Sequence, residues 1–396
     1  MSRNSRITVV GGCGHVGLPL SVVLANAGHH VTAFDISKEA VDSVNNCIPP
    51  FYEPGLKKAL EGALATNFVA STDPNTVKFS EFVIVIVGTP IDVHLNPDPN
   101  AVVDSIKDIS KNLSDNQILI LRSTVFPGVT AQVERTLVRL GLKTRVAFCP
   151  ERIAEGFAMK ELTELPQIIG TRSDEVYLHA AEIFESMGVK ALRTNPEEAE
   201  LAKLFTNTWR YIKFAAANQF WMMANDSGVN FENVRAAIRH DYPRAADFPA
   251  AGFTAGPCLF KDTMQLAAFS NNTFALGNSA MMINEGLPLY VTEKISQKYD
   301  LANIRIGLLG MAFKGESDDN RSSLAYKLKR IMKFKSGGVL TSDPYVKNDS
   351  ELVSEERVVA ESDLLIISAP HLRYKDLITE KPVVDIWNLR GNGSGV

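Results

Sequence analysis

One cysteine in the second half of the chain lies in surroundings that suit a nucleophile. Cys258 follows a loop of small residues that begins at Gly252, and it shortly precedes the pair Lys261-Asp262. Small residues let a substrate approach, and a loop that leads into a helix places a thiol near helix N–H groups. Those groups and a nearby lysine lower a thiol pKa. Because a free cysteine is more often a small buried hydrophobe, we expect structural roles for the other three, Cys13, Cys47 and Cys149.

Two further pairs of polar residues, each four residues apart, have side chains that handle charge and protons. Lys203 and Asn207 would project from one face of a helix, where a lysine can stabilise an oxyanion and an asparagine can donate to one. Glu151 and Glu155 follow a strand-like segment, and carboxylates there can act as general bases or orient water. The structural alternatives are a solvated surface lysine and an acid pair at a helix start.

The first strand-like segment is followed by a GxGxxG motif, GCGHVG at 12–17. Glycines there allow a tight turn and close approach of backbone to a pyrophosphate at a helix N-terminus. Asp35 lies about twenty residues later, where an acid binds the adenosine ribose and repels a 2′-phosphate, so NAD is favoured over NADP. Lys38 weakens that preference without reversing it. The predicted cofactor contacts here are Gly12, Gly14, His15, Val16, Gly17, Asp35 and Lys38.

Two later segments, Val87 to Pro90 and Arg122 to Thr124, end strands at the same carboxyl edge. Ligands bind at that edge in open α/β sheets, so these residues could line the nicotinamide side. Small and hydroxylic residues are also ordinary turn formers.

The elements that must position these residues alternate between apolar strands and amphipathic stretches. Strands covered on both faces by helices read as continuous apolar segments, which predicts a doubly wound α/β domain. The predicted strands of the first part are 6–12, 30–35, 81–88, 117–124 and 144–151. The alternation resumes in a second, smaller α/β domain with predicted strands at 305–310, 339–344, 364–370 and 383–387.

Between the two domains the sequence predicts one long helix. Asn195 can cap it, Pro196 fits its first position, Glu198 completes a capping box, and no Gly or Pro follows until Gly228. About 30 residues would span roughly 45 Å, which suits a connector and a dimerisation element. Two shorter helices are the alternative. With a second helical stretch at 275–298, the predicted domains are 1–194, 195–298 and 299–396.

Bulk composition excludes several classes of protein. With 396 residues, 45% hydrophobic and 22% charged, the chain is neither disordered nor fibrous. The formal charge of -4 gives no general attraction for nucleic acid or an anionic membrane. The widely spaced cysteines predict neither disulfides nor a metal site. A polar N-terminus and the lack of a membrane-length apolar run predict a cytoplasmic location.

Together these motifs resemble the UDP-glucose/GDP-mannose dehydrogenase family over essentially the whole chain. The resemblance rests on the order and spacing of many pieces rather than on any one of them. They are GCGHVG, Asp35, YEPGL at 52–56, GTP at 88–90, STVFPG at 123–128, PERIAEG at 150–156, the Glu200/Lys203/Asn207 spacing, GFTAGPCLFKD at 252–262 and LGMAFKGESDDNRSS at 309–323.

The resemblance implies oxidation of a nucleotide-sugar 6-alcohol to the uronic acid, with two NAD reduced per turnover. It implies that Cys258 captures the aldehyde as a thiohemiacetal and then forms a thioester. Lys203 and Asn207 match the pair that stabilises the oxyanion. Asp262, with Thr124 and a water, matches the group that transfers protons. Glu151 matches the residue that promotes hydrolysis of the thioester.

Further contacts are implied in the same way. Glu155 matches an acid near both cofactor and substrate. Arg244 matches an arginine that reaches the substrate from the neighbouring subunit. Lys314 and Arg321 match substrate and cofactor contacts made by the second α/β domain. Substrate contacts are also expected from Glu151, Lys203, Asn207, Gly252 and Phe313, and cofactor contacts from Thr89, Thr124, Glu155, Lys261 and Arg321.

The sequence departs from the family pattern at two places. In the nucleophile loop, Ala255 and Pro257 flank Gly256, and Phe260 stands where proline usually precedes the Lys-Asp pair. The segment LPQIIG lacks an arginine often found before its strand. The nucleophile is intact, but these changes weaken assignment to a particular sugar.

The sequence therefore predicts an NAD-dependent nucleotide-sugar 6-dehydrogenase that forms a homodimer or higher oligomer and has no nucleic-acid or membrane partner. UDP-glucose is the leading substrate, followed by a UDP-N-acetylhexosamine or GDP-mannose. A two-electron β-hydroxyacid dehydrogenase shares the N-terminal fold and long helix but needs neither Cys258 nor a second α/β domain. A catalytically silent nucleotide-binding protein is the third possibility.

Overall fold

The computed structural model describes residues 4–89, 92, 98, 100–253, 256, 258–393 and 396. Four residues that the sequence analysis named, Pro90, Thr254, Ala255 and Pro257, lie outside the described residues. The chain divides into two compact units, one up to Thr206 and one from Asn207 onward. The finer division into three domains stays a prediction.

The first unit is built on an eight-stranded sheet with the order β3-β2-β1-β4-β5-β6-β7-β8 among the described residues. Neighbouring strands run parallel, except that β7 meets β6 antiparallel at Phe148 and Gly170. The strands are β1 Arg6–Val10, β2 His30–Phe34, β3 Phe68–Ser71, β4 Phe82–Val85, β5 Ile118–Leu121, β6 Arg145–Phe148, β7 Gln167–Gly170 and β8 Ala191–Thr194. The predicted doubly wound fold is confirmed.

Helices cover both faces of this sheet. Successive residues of a strand point to opposite faces, and Ile84 packs in one apolar core while Val83 and Val85 pack in the other. Burial on both faces explains why the strands are apolar throughout. The helices are α1 Gly17–Asn26, α2 Lys38–Asn45, α3 Leu56–Leu64, α4 Ala101–Ile109, α5 Val129–Arg139, α6 Ala158–Glu164 and α7 Asp174–Glu185.

One unbroken helix, α8 Pro196–Asp226, begins in the first unit and ends in the second. Its start follows the predicted capping pattern, since the Glu198 carboxylate accepts the backbone N–H of Asn195 at 2.9 Å. The alternative of two shorter helices is wrong. The helix therefore carries Lys203 and Asn207 on one rigid segment.

The second unit contains a helical part and a smaller parallel sheet, as the sequence predicted. The sheet order is β10-β9-β11-β12. The helices are α9 Phe231–Arg239, α10 Leu259–Phe269, α11 Ala275–Lys298, α12 Leu324–Lys335 and α13 Glu355–Glu361. The strands are β9 Arg305–Leu309, β10 Gly338–Ser342, β11 Leu364–Ile367 and β12 Val383–Val384.

Within the part of the chain that the structure describes, no helix is both long and apolar enough to cross a bilayer. The same residues bring together no group of three or more His, Cys, Asp and Glu that could hold a metal ion. The cytoplasmic location stays a prediction.

Candidate active site

The glycines after β1 form a turn that side chains could not enter. Gly11 has φ +78°, and a Cβ at Gly12 would lie 2.6 Å from the Ala33 Cα. A Cβ at Gly17 would overlap the Gly11 carbonyl. Gly14 differs, because a Cβ there would meet only the Gly11 oxygen, at 3.6 Å. Gly14 thus leaves open space at the N-terminus of α1, which fits the pyrophosphate of a dinucleotide.

The acid after β2 is fixed beside this turn. Asp35 accepts the Cys13 N–H and the Ser37 N–H, each at 3.1 Å, and it remains half-buried. Lys38 forms an exposed ion pair with Asp42 at 2.6 Å. Since the ammonium of Lys38 is engaged there, it adds little attraction for a 2′-phosphate beside Asp35. The residues present fit NAD.

Two buried cysteines have the structural character expected of them. Burial, and secondly the negative charge of Asp35, raises the pKa of Cys13 to about 12. Burial also raises the pKa of Cys149 to about 12. His15, beside Cys13 in the glycine motif, stacks on Phe51 with ring centroids 4.1 Å apart, and Val16 is the N-cap residue of α1.

The ends of β4 and β5 are held together by hydroxyl groups. The Thr89 hydroxyl donates to the Thr124 carbonyl at 2.8 Å. The Ser123 hydroxyl accepts the Val87 N–H and donates to the Val87 carbonyl, both at 2.8 Å. The structure thus brings the predicted residues Thr89 and Thr124 together at the carboxyl edge of the sheet.

Arg122 follows β5 at that edge, as predicted, but it is 2% exposed and engaged inside the unit. Its Nε donates to the Glu151 carboxylate at 2.7 Å, and its Nη1 donates to the Gln167 Oε1 at 2.7 Å and to the Cys149 carbonyl at 3.2 Å. The guanidinium also lies over the Phe184 ring, 5.3 Å from its centroid. Arg122 therefore holds the Glu151 carboxylate at the edge of the sheet.

The segment that carries Glu155 is fixed on both sides. The second oxygen of Glu151 accepts the N–H groups of Arg152 and Ile153 at 2.6 and 2.8 Å. Beyond Glu155, the buried Glu53 accepts the N–H of Gly156 at 2.7 Å. Half-buried Glu155 thus sits on a short, well-anchored loop. The role of Glu53, within the YEPGL segment, was not predicted because its partners lie about a hundred residues away.

Lys203 and Asn207 are both buried, at 7% and 5% exposure. The surface-lysine alternative is therefore wrong, and a buried lysine demands a functional or structural partner. Glu200, which the family spacing also includes, has a structural contact. Its carboxylate accepts the N–H groups of Gly128 and Thr130 at 2.7 and 2.8 Å, so it caps α5.

In the second unit Cys258 is the N-cap residue of α10 and is exposed, as predicted. One turn later Asp262 is completely buried. Asp262 accepts from the Asn207 Nδ2 at 2.5 Å and pairs with the Lys261 Nζ at 3.2 Å. The structure thus joins three predicted residues, Asn207 of α8 with Lys261 and Asp262 of the helix that begins at the thiol.

The other end of the nucleophile loop is anchored by residues that the sequence analysis missed. The Gly252 N–H donates to Asn218 at 2.9 Å, and Asn218 in turn donates to Asn284 at 2.9 Å. A Cβ at Gly252 would overlap the Trp387 ring. Both asparagines are fully buried. Because a buried amide needs hydrogen-bond partners, an asparagine within each predicted long helix was the feature of the sequence that could have indicated these contacts.

The predicted substrate contacts from the second α/β part lie in different settings. Phe313 packs against Gly256, where a Cβ would come within 2.6 Å of its ring, so it contacts the nucleophile loop. The Lys314 ammonium lies 5.5 Å from the centre of the Phe313 ring. Arg321 pairs with Asp319 at 2.6 Å. Arg244 is exposed and contacts its own chain at the Tyr242 hydroxyl, at 3.4 Å.

Three family models match the chain in the order of its parts. They are the NAD binding domain of the UDP-glucose/GDP-mannose dehydrogenase family at residues 5–188, its central domain at 197–286 and its UDP binding domain at 307–392. The chain belongs to this family. The resemblance seen in the sequence is confirmed, and the cofactor is NAD.

Named relatives agree with this assignment. A UDP-N-acetyl-D-mannosamine dehydrogenase of Pyrococcus horikoshii is 31% identical over 94% of this chain and 91% of its own length. An NDP-N-acetyl-D-galactosaminuronic acid dehydrogenase of Ralstonia solanacearum is 28% identical over 95% and 93%. The solved structure of a UDP-glucose dehydrogenase from Pyrobaculum islandicum matches with a TM-score of 0.91 at 26% identity, covering 97% of this chain and 94% of that one. The chain is an NAD-dependent nucleotide-sugar dehydrogenase.

Proposed function

We propose that the chain oxidises the C6 alcohol of a UDP-N-acetylhexosamine to the carboxylate through a thioester on Cys258. The matching UDP binding domain supports the nucleotide, and the two curated relatives described above are named for N-acetylated sugars. UDP-glucose, the leading substrate from the sequence, is now the competing candidate, supported by the likeness to the Pyrobaculum enzyme. The two-electron and silent alternatives are not favoured, because the catalytic cysteine and all three family domains are present.

One observation carries the proposal. Cys258 is exposed at the start of α10, and the buried Asp262, one turn beyond it, contacts Asn207 of α8 and Lys261. Cys13 and Cys149 are buried, and burial raises the pKa of each thiol. A thiol at a helix N-terminus is favoured as a thiolate and can reach a substrate.

The reaction balances in four steps, and each of its two oxidations transfers one hydride. Loss of a hydride and a proton converts the alcohol to the aldehyde, and the Cys258 sulfur then adds to the aldehyde carbon to give a thiohemiacetal. Loss of a second hydride and proton gives the thioester, which water hydrolyses to the carboxylic acid and the free thiol. Bound NAD, held by the glycine turn and Asp35, supplies the hydride acceptor. A covalent intermediate keeps the aldehyde from escaping between the oxidations.

The residues around the thiol divide the remaining work. Lys203 and Asn207 stabilise the oxyanions that form at C6, which is the largest electrostatic demand of the reaction. Asp262, with Thr124 and a water, accepts the alcohol proton. Asn207 is held by Asp262 at 2.5 Å, so its amide is already oriented before substrate arrives. Glu151 and Glu155 support thioester hydrolysis from their anchored loop.

Substrate recognition falls to residues of the second unit. Phe313 and Lys314, beside the nucleophile loop at Gly256, hold the nucleotide sugar. Gly252 permits close approach at the start of that loop, and Arg321 contributes on the cofactor side. Arg244 is exposed and reaches the substrate of a partner subunit.

We further propose a homodimer formed by one face of α8. Exposed apolar side chains recur along it at spacings of four, eleven and three residues, which places them on one stripe. They are Phe205, Trp209, Phe220 and Met223, each at least half exposed. A stripe of this length on an isolated subunit indicates a partner, and a second copy supplies a matching stripe.

The test is a panel of nucleotide sugars assayed for NADH release with mass analysis of the products. UDP-N-acetylmannosamine, UDP-N-acetylgalactosamine, UDP-N-acetylglucosamine, UDP-glucose and GDP-mannose form the panel. We expect the highest kcat/KM for a UDP-N-acetylhexosamine, with a product heavier by the mass of one oxygen and lighter by two hydrogens. Preference for UDP-glucose would overturn the sugar assignment, and no turnover of any nucleotide sugar would overturn the reaction.

A further inference from the structure

The loop after β9 carries Phe313 and Lys314, and its first part is held by a buried acid at the end of β10. The Asp343 side chain is fully buried. One of its oxygens accepts the N–H groups of Met311 at 2.6 Å and Ala312 at 2.9 Å. The other oxygen accepts the N–H groups of the two residues after Pro344, at 2.8 and 2.9 Å. Asp343 thus fixes the start of the loop.

Burial acts to raise the pKa of Asp343, but the hydrogen bond from His371 and the backbone N–H groups outweigh it and lower the pKa to about 2. The acid is therefore a carboxylate across the physiological range, consistent with its set of donors.

His371 links this acid to the far end of the same loop. The ring is completely buried, and its Nε2 lies 3.1 Å from the Asp343 carboxylate. Its Nδ1 accepts the backbone N–H of Glu316 at 3.0 Å. Because a backbone N–H can only donate, the ring proton must reside on Nε2 and point to Asp343. One buried imidazole therefore contacts the loop at both ends.

Glu316 fixes the far end of the loop that carries Phe313 and Lys314. It has φ +54°, a left-handed backbone conformation that is strained for glutamate. Its carboxylate accepts the Leu372 N–H and the Tyr345 hydroxyl, both at 2.8 Å. These two bonds hold the strained turn that returns the chain after Lys314.

The position of Asp343 matches that of Asp35 in the first unit. Gly11 and Gly310 each follow the first strand of their sheet and each donate to the carbonyl of the last residue of the next strand, at 2.9 and 2.8 Å. Each acid then comes directly after that second strand and accepts N–H groups of the glycine turn. Asp35 has two donors and is half-buried, which leaves acceptor capacity for a ribose. Asp343 has five donors and no exposed side-chain surface.

We infer that Asp343, His371 and Glu316 form a clamp of positioning residues that presets the Phe313–Lys314 loop for the nucleotide of the sugar substrate. Asp35, after the second strand of the first unit, is placed to bind a ribose. Asp343, at the equivalent position in the second unit, holds the loop in place. This role rests on the proposed function of that loop. The clamp touches no reacting atom, so its loss should weaken nucleotide binding and leave the chemical step intact.

The test compares His371→Ala with a matched control elsewhere in the chain. His29 is also almost completely buried, accepts the Ser5 N–H on Nδ1 at 3.3 Å and contacts the Ser186 hydroxyl through Nε2 at 2.9 Å. His29→Ala therefore removes the same kinds of contact far from the substrate loop in sequence. For both variants, calorimetric titration would give the Kd for UDP and for NAD, and steady-state kinetics would give kcat and KM.

We expect His371→Ala to weaken UDP binding and raise the KM for the sugar about tenfold or more, with kcat and the Kd for NAD within about twofold of the parent. His29→Ala should lower only thermal stability. If His371→Ala does not fold, Tyr345→Phe removes only the hydroxyl that holds Glu316 and should raise the same KM. Tyr290→Phe removes a hydroxyl that donates to Asp226 at 2.6 Å, and as the control it should leave that KM unchanged. Unchanged UDP binding in a folded clamp variant would overturn the clamp. Absence of UDP binding in the parent would instead overturn the proposed function, and the clamp with it.

Discussion

At the residue scale, the four thiols differ in how readily they ionise and meet a reagent. Burial raises the pKa of both Cys13 and Cys149 to about 12, so at about pH 8 only about one thiol in ten thousand is a thiolate. Cys258 is exposed at a helix start, and Cys47 is half-buried. We predict that iodoacetamide at about pH 8 alkylates Cys258 first in the folded protein, as peptide mapping by mass spectrometry would measure.

The pH dependence of this labelling has a definite sign. Because the pKa values of Cys13 and Cys149 are raised, their reactive fraction grows only as pH rises toward about 12. A Cys258→Ser variant serves as the control and should lose both the early label and the overall oxidation. Early labelling of Cys13 or Cys149 in folded protein would contradict the burial described here.

Residue identity and spacing named the candidate site residues but did not predict their surroundings. Cys258, Asn207 and Asp262 were all named from spacing, and the structure joins the last two directly. Burial of Lys203 could not be predicted, because a helical lysine is usually solvated. The partner of Glu151 could not be predicted either, since Arg122 lies on another strand and contacts it only once the sheet has formed.

At the element scale, Arg122 joins the ends of three strands, β5, β6 and β7. It binds Glu151 after β6 and Gln167 at the start of β7. Removing it with Arg122→Met leaves a buried carboxylate unpaired, which costs about 3 kcal/mol or more in the free energy of unfolding. Urea unfolding followed by circular dichroism would measure this loss.

A second substitution tests whether the positive charge beside Glu151 accounts for the stability that Arg122 provides. Gln167, at the start of β7, accepts from the Arg122 guanidinium at 2.7 Å and so lies beside it. We expect Gln167→Arg to recover part of the stability lost in Arg122→Met, because it returns a cation to the Glu151 carboxylate. Arg172→Met removes an exposed ion-paired arginine and should cost less than about 1 kcal/mol. An Arg122→Met loss no larger than this control would contradict the account.

Elements with a strong apolar pattern or clear capping residues were predicted from the sequence, and three strands of the first sheet were not. The apolar strands β1, β2, β4, β5 and β6 and the start and end of α8 lie where the sequence placed them. The strands β3, β7 and β8 were not among the predicted strands; β8 is largely exposed and β3 alternates in burial, so neither of these two has a continuous apolar pattern. Their places in the sheet depend on pairing with neighbours rather than on local preference.

At the scale of the whole molecule, the exposed stripe on α8 gives a prediction about assembly. A Trp209→Glu, Phe220→Glu double variant places two charges on the proposed contact and should convert the dimer to a folded monomer. Light scattering after size-exclusion chromatography would give the mass. Phe334→Glu is the control, because Phe334 is 90% exposed on a different helix, α12. A monomeric parent, or a double variant that stays dimeric, would contradict this contact.

Both parallel sheets were predictable from the sequence, but the different roles of the acid that follows the second strand in each of them were not. Apolar segments and glycine turns indicate both sheets, and both have an acid after the second strand. Whether that acid remains available to a ligand depends on how many donors pack around it. Asp343 is surrounded because His371 arrives from the end of another strand, a contact that no local sequence pattern encodes.

The central claim is that one thiol carries the sugar through two oxidations. The most direct measurement is the number of NADH molecules formed for each sugar consumed, taken at complete conversion of a limiting UDP-N-acetylhexosamine. We predict two NADH per sugar, with a uronic acid as the only product. One NADH per sugar, with an aldehyde as product, would contradict it.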